Sequence, residues 1–332
     1  MMFNPITPSS SQKKPFQVLA HTDEILIIQT NAGVDLATAA DKQPATEKQK
    51  AKLNSYGRFN LGLHVNDDPA QVLHNRAQLL QLINGYLAEQ TDQQKTDSAV
   101  EAIYWLSQIH SNQVIRIEDE YLDNLSLTPP AADALVTAQS CQALAIMTAD
   151  CVPIVIYDPN TQQVAAIHAG WQGLANGVIF EAYKELTNLT SLTPNSVSVN
   201  LEVKPIQAWP LQAWIGACIS QACYEVSGDV VDKLLLGCEK MGMEAEQIRP
   251  QIVAAHEDAN KAWLDLPKLA QLQLEQLGIA VEQPTTLSDE SKAGPALACS
   301  YEDSSYYSYR RKTHLGEGNT GRMALLVVKL KT

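Results

Sequence analysis

Nowhere in the 332-residue sequence do 18 apolar residues run together, so the pattern of a membrane-crossing helix is missing. The first residues, MMFNPITPSSSQKKPFQVLA, also lack the sustained apolar core of a secretory signal. The expectation is a soluble, cytoplasmic protein without a membrane partner. Cysteine is sparse: Cys141, Cys151, Cys218, Cys223, Cys238 and Cys299 are all there are, and none forms a C-x-x-C pair. That argues against a disulfide framework and leaves each thiol as core, ligand or nucleophile. Basic residues are outnumbered, 24 Lys and Arg against 37 Asp and Glu, for a net charge of −13. A phosphate backbone would meet general repulsion, which disfavours a nucleic-acid partner. No G-x-x-x-x-G-K-[ST] loop and no internal repeat occur. The seven histidines include no H-x-H pair, too few imidazoles in the wrong pattern for a mononuclear plus a trinuclear copper centre.

What is present is a 45% hydrophobic chain that alternates two periodicities. In DDPAQVLHNRAQLLQLINGYL, Asp68 is placed to cap a helix, Pro69 suits its first turn, and Val72, Leu79, Leu80, Ile83 and Leu87 recur at helical spacing. LDLPKLAQLQLEQLG repeats the design, with Asp265 as cap, Leu269, Leu272 and Leu277 on one face and Gly278 as stop. SGDVVDKLLLGCEKMG buries Val230, Val231, Leu234, Leu235 and Cys238 if helical. Between the helices lie short runs rich in β-branched residues at 113–118, 143–148, 152–158, 163–169, 212–217 and 323–330. This alternation predicts a mixed α/β fold whose sheets are covered by helices. The polar stretches 34–56 and 88–98 read as surface insertions, and a third spans 187–210, where VSVNLEV alternates as a strand does.

The chemistry concentrates in IMTADCVPIVIYDPNTQQVAAIHAGWQG, residues 146–173, which sets Cys151 and His168 at the ends of two apolar runs joined by a turn. If both runs are strands of one sheet, thiolate and imidazole meet at one edge. Glycines at 170 and 173 then precede a helix whose free N–H groups favour an anion. His110, in WLSQIHSNQVIRIE, stands just before another strand. Two imidazoles and a thiolate suit Zn²⁺ or copper and leave one tetrahedral position open. Spacing alone leaves three readings: a metal site, a Cys–His nucleophile pair, or buried core residues. Asp150, next to the cysteine, reads either as an orienting group for the site or as a turn aspartate. His64 and Asn60 are candidates to line a pocket, while His74 reads as solvated.

Ordered blocks carry a resemblance over most of the chain: FNLGLHVNDDPAQVLHNRAQL (59–79), QIHSNQV (108–114), ADALVT (132–137), MTADCVPIVIYD (147–158), AAIHAGWQGL (165–174), WIGACISQACYEV (214–226), LDLPKLAQLQLEQLGI (264–279), YYSYRR and TGRMALLV (306–327). Together they resemble the laccase-domain family, also called polyphenol oxidase or DUF152 and described as purine nucleoside phosphorylases. The resemblance implies an α+β protein, a single domain over 15–331 with an α/β/β/α layered fold. It implies a metal, Zn²⁺ or Cu²⁺, held by His110, Cys151 and His168; with Asp150 read from its place beside the cysteine, Cys151, His168 and Asp150 are the expected catalytic residues. The implied reaction is phosphorolysis of adenosine, inosine and methylthioadenosine, with adenosine deamination beside it, so the expected partners are purine nucleosides and phosphate. A monomer and a homodimer fit equally. The H-x-E and C-x-x-C signature of the zinc deaminases is absent. The family commonly carries Arg after HAGW; here Gln172 stands there, so Arg58, or Arg310 and Arg311, are expected to supply the missing charge. The open alternatives are a cysteine hydrolase using Cys151 and His168, single-copper phenol oxidation, and a noncatalytic partner protein.

Overall fold

The computed structural model describes residues 15–34, 36, 56–90, 99–118, 128–189, 210–283, 297–316 and 319–331. The expected insertions at 34–56 and 88–98, and the alternating segment within 187–210, fall almost entirely outside the described residues.

Five strands pair in the order β1 (Phe16–His21), β2 (Ile25–Thr30), β14 (Met323–Lys329), β6 (Gln142–Thr148) and β3 (Ala102–Tyr104). Six pair in the order β13 (Ala280–Val281), β9 (Gln212–Ile215), β7 (Val152–Asp158), β8 (Gln163–Ala169), β5 (Ala134–Thr137) and β4 (Val114–Ile117). Both sheets are mixed: β3–β6 and β4–β5 are parallel, β6–β14 and β7–β8 antiparallel. A smaller sheet joins β10 (Glu225–Ser227), β12 (Lys261–Leu264) and β11 (Val253–Ala255).

The two large sheets pack face to face. Leu144, Ile146, Leu325 and Val327 of one meet Leu135, Val155, Val164, Ala166 and Trp214 of the other. The outer face of the five-stranded sheet, with Leu26, Ile28, Ala143, Ala145 and Leu326, is covered by Leu79, Ile83 and Leu87 of α1 (Pro69–Gln90). The outer face of the six-stranded sheet, with Ile154, Ile156, Ala165, Ile167 and Ala213, lies under α2 (Trp171–Ala175), α3 (Val178–Leu186), α4 (Gly228–Lys240), α5 (Ala245–Ile252) and α6 (Leu266–Gln276). The result is the α/β/β/α order. Strands buried on both faces explain why 152–158 and 163–169 read as near-continuous apolar runs rather than alternating ones. The last helix, α7 (Tyr309–Leu315), precedes β14. The G-x-G-x-x-G spelling GEGNTG at 316–321 therefore runs from helix to strand, the reverse of the order that binds a dinucleotide.

The capping residues do what their chemistry predicts. Asp68 Oδ1 accepts from the Ala70 amide at 3.0 Å, and Asp265 Oδ1 accepts from the Lys268 amide at 2.9 Å. Val72, Leu79, Ile83, Leu87, Leu269, Val231, Leu234, Leu235 and Cys238 are buried, while Leu80, Leu272 and Val230 are half-buried and His74 is exposed. The helix expected after His168 comes in two pieces instead. Gly177 takes a left-handed φ of +77° and separates α2 from α3. Gly173 lies inside α2 rather than ahead of it, where a Cβ would stand 3.4 Å from the His168 carbonyl. A five-residue helix sums few peptide dipoles, so its start is a weaker anion site than the sequence implied.

Candidate metal centre

The β7–β8 hairpin register sets Val152 opposite Ala169 and Pro153 opposite His168. Cys151, one residue before β7, therefore comes beside Gly170, one residue after β8. A Cβ at Gly170 would lie 3.1 Å from Cys151 Sγ and 3.2 Å from His110 Cδ2. The missing side chain is what lets the backbone approach the pair.

His110 arrives on the loop between β3 and β4, in a left-handed conformation with φ +58°. The cause is Asp133, a fully buried carboxylate just before β5. Its Oδ1 accepts from the His110 amide at 3.0 Å, and its Oδ2 accepts from the Ser111 amide at 2.6 Å, Ser111 Oγ at 2.8 Å and, more loosely, the Ile109 amide at 3.3 Å. The same Oδ1 bonds His168 Nδ1 at 2.8 Å. One carboxylate thus shapes the His110 loop and fixes the His168 ring, and Nδ1–H donation reserves Nε2 of the neutral ring as the ligating atom.

One donor atom each from His110, Cys151 and His168 lies within 4.8 Å of the other two. Cys151 Sγ is 3.9 Å from His110 Nε2, and the two imidazole rings meet edge to face with centroids 4.9 Å apart. His168 is buried, Cys151 half-buried and His110 exposed, so the group opens to one side. Burial opposes charge on Cys151, but the His168 charge and hydrogen bonds from both histidines pull its thiol down to about 6. Burial likewise opposes charge on His168, and Cys151 together with Asp133 raises it to about 9. Asp133 is itself held at about 2: burial pushes it up, and His168 and Ser111 outweigh that. The donor set fits a soft or borderline cation: one thiolate, two imidazoles, an outer carboxylate and an open side.

A positive rim borders this group. Arg322 donates from its amide to Asn60 Oδ1 at 2.8 Å and from Nη1 to the Gly321 carbonyl at 3.0 Å. Its stem passes over Gly62, where a Cβ would come within 2.7 Å of Arg322 Cγ. Arg76 stacks 4.1 Å above the Trp105 ring and donates Nε to the Leu61 carbonyl at 2.9 Å. His64, on the 3₁₀ turn Leu63–Val65, is held down at about 4 by burial, then by the charges of Arg322, Arg76, His168 and His110. Those charges place Arg322, Arg76, His168 and His110 within electrostatic reach of His64.

The other candidates lie as follows. Asn60 is buried and spends its side chain on the chain itself, with Nδ2 on Asp67 Oδ2 at 2.8 Å and Oδ1 taking the Gly62 and Arg322 amides. Asp150, at φ +106°, accepts from Ser300 Oγ on Oδ1 at 2.8 Å and from the Arg310 amide on Oδ2 at 2.7 Å, tying the Cys151 turn to the 300–310 segment. Arg310 reaches the Glu225 carbonyl at 2.7 Å and stacks over Tyr224. Arg311 is buried among the carbonyls of Ser300, Tyr301, Asp303 and Tyr306. Arg58 and Gln172 are exposed. Sequence reasoning did not assign Asp133, Arg76 or Arg322, although ADALVT, HNRAQL and TGRMALLV contain them; their neighbours come from remote parts of the chain.

Comparison with known proteins gives a consistent picture. The family model described as "Multi-copper polyphenol oxidoreductase laccase" matches residues 45–329. A purine nucleoside phosphorylase of Corynebacterium glutamicum is 30% identical over 272 residues, 82% of this chain and 87% of its own. The purine nucleoside phosphorylase YlmD of Bacillus subtilis is 30% identical over 274 residues, covering 80% of each chain. Among solved structures, a DUF152 protein of Neisseria meningitidis superposes with TM-score 0.63 at 26% identity, covering 95% of this chain and 99% of that one.

Proposed function

Because the chain belongs to the multi-copper polyphenol oxidoreductase laccase family, we propose that it is a metal-dependent purine nucleoside phosphorylase acting as one domain over 15–331. Adenosine, inosine and methylthioadenosine are the proposed substrates, with deamination of adenosine as a second activity of the same centre. The observation that carries the reading is an open His110–Cys151–His168 set bordered by Arg322, Arg76 and His64. The names of the relatives point the same way.

His110, Cys151 and His168 would hold the cation, Zn²⁺ in the first place and copper in the second. When bound, it supplies a Lewis-acidic point that polarises a polar group of the substrate. The protein's own groups do the rest. Asp133 keeps the His168 ring in one tautomer and orientation. Phosphorolysis breaks the bond between the ribose C1′ and the purine nitrogen while an oxygen of the hydrogen phosphate dianion bonds to C1′ and its proton passes to the departing purine, so the dianion must be held against one face of the sugar. Arg322 and Arg76 supply charge for it, and His64 a hydrogen bond. Asn60 acts on substrate through Arg322, and Asp150 and Arg310 act by fixing the turn that carries Cys151. Gln172 and Arg58, both exposed, remain candidate contacts for the outer part of the nucleoside.

One observation favours a second reading: a thiol drawn down to about 6 beside an imidazole raised to about 9 also describes a cysteine nucleophile with its base. Chelation separates the two. Stripping the metal abolishes phosphorolysis and metal return restores it, whereas a cysteine hydrolase keeps or gains activity when stripped. In addition, Arg322→Gln raises the KM for phosphate at least about tenfold, from the roughly 1.5–3 kcal/mol that a charged hydrogen bond carries. An unchanged phosphate KM would remove Arg322 from the site.

A further inference from the structure

Beyond the Asp150 turn lies a second group of candidate ligands that the proposed reaction does not use. Cys223, Cys299 and Glu302 each present one ligand atom, and the three atoms lie within 4.8 Å of one another. We infer that they form a second, structural site for a divalent cation of the Zn²⁺ class. Nothing in this inference depends on the phosphorylase reading.

Two thiolates and a carboxylate are a zinc-type donor set, with bond lengths of about 2.3 Å to sulfur and about 2.0–2.2 Å to oxygen. The surroundings are those of ligating sulfur. Ser220 donates to Cys299 Sγ twice, from its amide at 3.4 Å and its hydroxyl at 3.1 Å, the kind of outer hydrogen bond that orients a metal ligand. Both cysteines sit on fixed backbone. Cys223 ends the 3₁₀ turn Gln221–Cys223, and its amide bonds the Ser220 carbonyl at 3.1 Å. Cys299 is bridged in parallel to Cys218, with the Ser300 amide on the Cys218 carbonyl at 2.9 Å.

Such a cation clips residues 220–223 to 299–302. The second of these segments leads straight into the Asp150 contacts, Ser300 Oγ and the Arg310 amide. The clip therefore steadies the turn that carries Cys151 without contacting the substrate.

The test is metal stoichiometry on the full-length protein, purified under reducing conditions, saturated with Cd²⁺ and desalted. Wild type is expected to retain two equivalents. Cys223→Ser/Cys299→Ser retains one and loses the thiolate-to-Cd²⁺ charge-transfer absorption of two sulfurs. His110→Ala/Cys151→Ser also retains one, with those two sulfurs still contributing. Glu302→Gln, a milder change, weakens retention of the same equivalent, and far-ultraviolet circular dichroism checks that each variant is folded. One equivalent in wild type that survives Cys223→Ser/Cys299→Ser overturns the proposal. So does recovery of Cys223 and Cys299 joined as a disulfide in protein purified without reductant, which would make them a redox pair. One equivalent that survives His110→Ala/Cys151→Ser but not Cys223→Ser/Cys299→Ser supports this site while sinking the metal centre proposed for catalysis.

Discussion

Asp133 accepts hydrogen bonds from the Ile109, His110 and Ser111 amides, Ser111 Oγ and His168 Nδ1. In Asp133→Asn an amide group faces donors on one side, leaving buried N–H groups unpaired at roughly 1–3 kcal/mol each. The expected outcome is a loss of about 3 kcal/mol in unfolding free energy and a fall of about 10–100-fold in metal affinity, read by denaturant unfolding and by competition with a chelator. The acid side has a definite sign. The Asp133 carboxyl is depressed from 3.8 to about 2 on folding, so its stabilisation is complete above 3.8 and disappears as pH falls through about 2. In metal-free protein, the stability gap between wild type and Asp133→Asn should close over that window; a gap independent of pH would contradict the assignment. At this scale the sequence is only partly legible. Cys151 and His168 share a hairpin, so their meeting follows from strand pairing, whereas His110 is a candidate, from its place before a strand, that only the resemblance ties to the pair. Asp133 is 23 residues from His110 and 35 from His168 and sits in an apolar strand context, where nothing local marks it as an orienting group.

Elements bring these residues together through close approaches that forbid side chains. Gly170 has an ordinary φ of −72°, so Ala is tolerated by the backbone there, yet its Cβ would press on Cys151 Sγ and His110 Cδ2. Gly170→Ala should therefore lower metal affinity with little change in the thermal midpoint. A large drop in stability with affinity intact would refute this. Gly237 is the opposite case. A Cβ on α4 would stand 2.2 Å from the Ala175 carbonyl of α2, so Gly237→Ala must separate the two helices. Overpacking of this kind costs about 1–3 kcal/mol or more, measurable as a shift in the denaturant midpoint with metal affinity retained. Helix ends were legible because Asp68 and Asp265 are chemical caps. The division of α2 from α3 was not, because a glycine inside an apolar helical pattern does not announce whether it takes a left-handed φ.

The whole molecule places the centre where the edges of the hairpin and the His110 loop converge, on one side of a sheet buried on both faces. Apolar runs such as VPIVIYD and QVAAIHA marked strands covered by helices, whereas the layered order rested on the family resemblance. The closure of the five-stranded sheet was not readable, since it pairs β2 near the start of the chain with β14 near its end. The positive rim has the same origin: Arg76, in the same stretch as the uncharged His64, and Arg322 come from two distant parts of a chain whose net charge is −13. That local reversal of charge is what a phosphate-using reaction requires, and it allows a direct test. Zinc-loaded protein is incubated with inosine or adenosine, with and without phosphate, and the products are separated by chromatography. The account predicts free base and ribose 1-phosphate only when phosphate is present, and none from His110→Ala. Base release that ignores phosphate, or no turnover of either nucleoside with the metal in place, would contradict it.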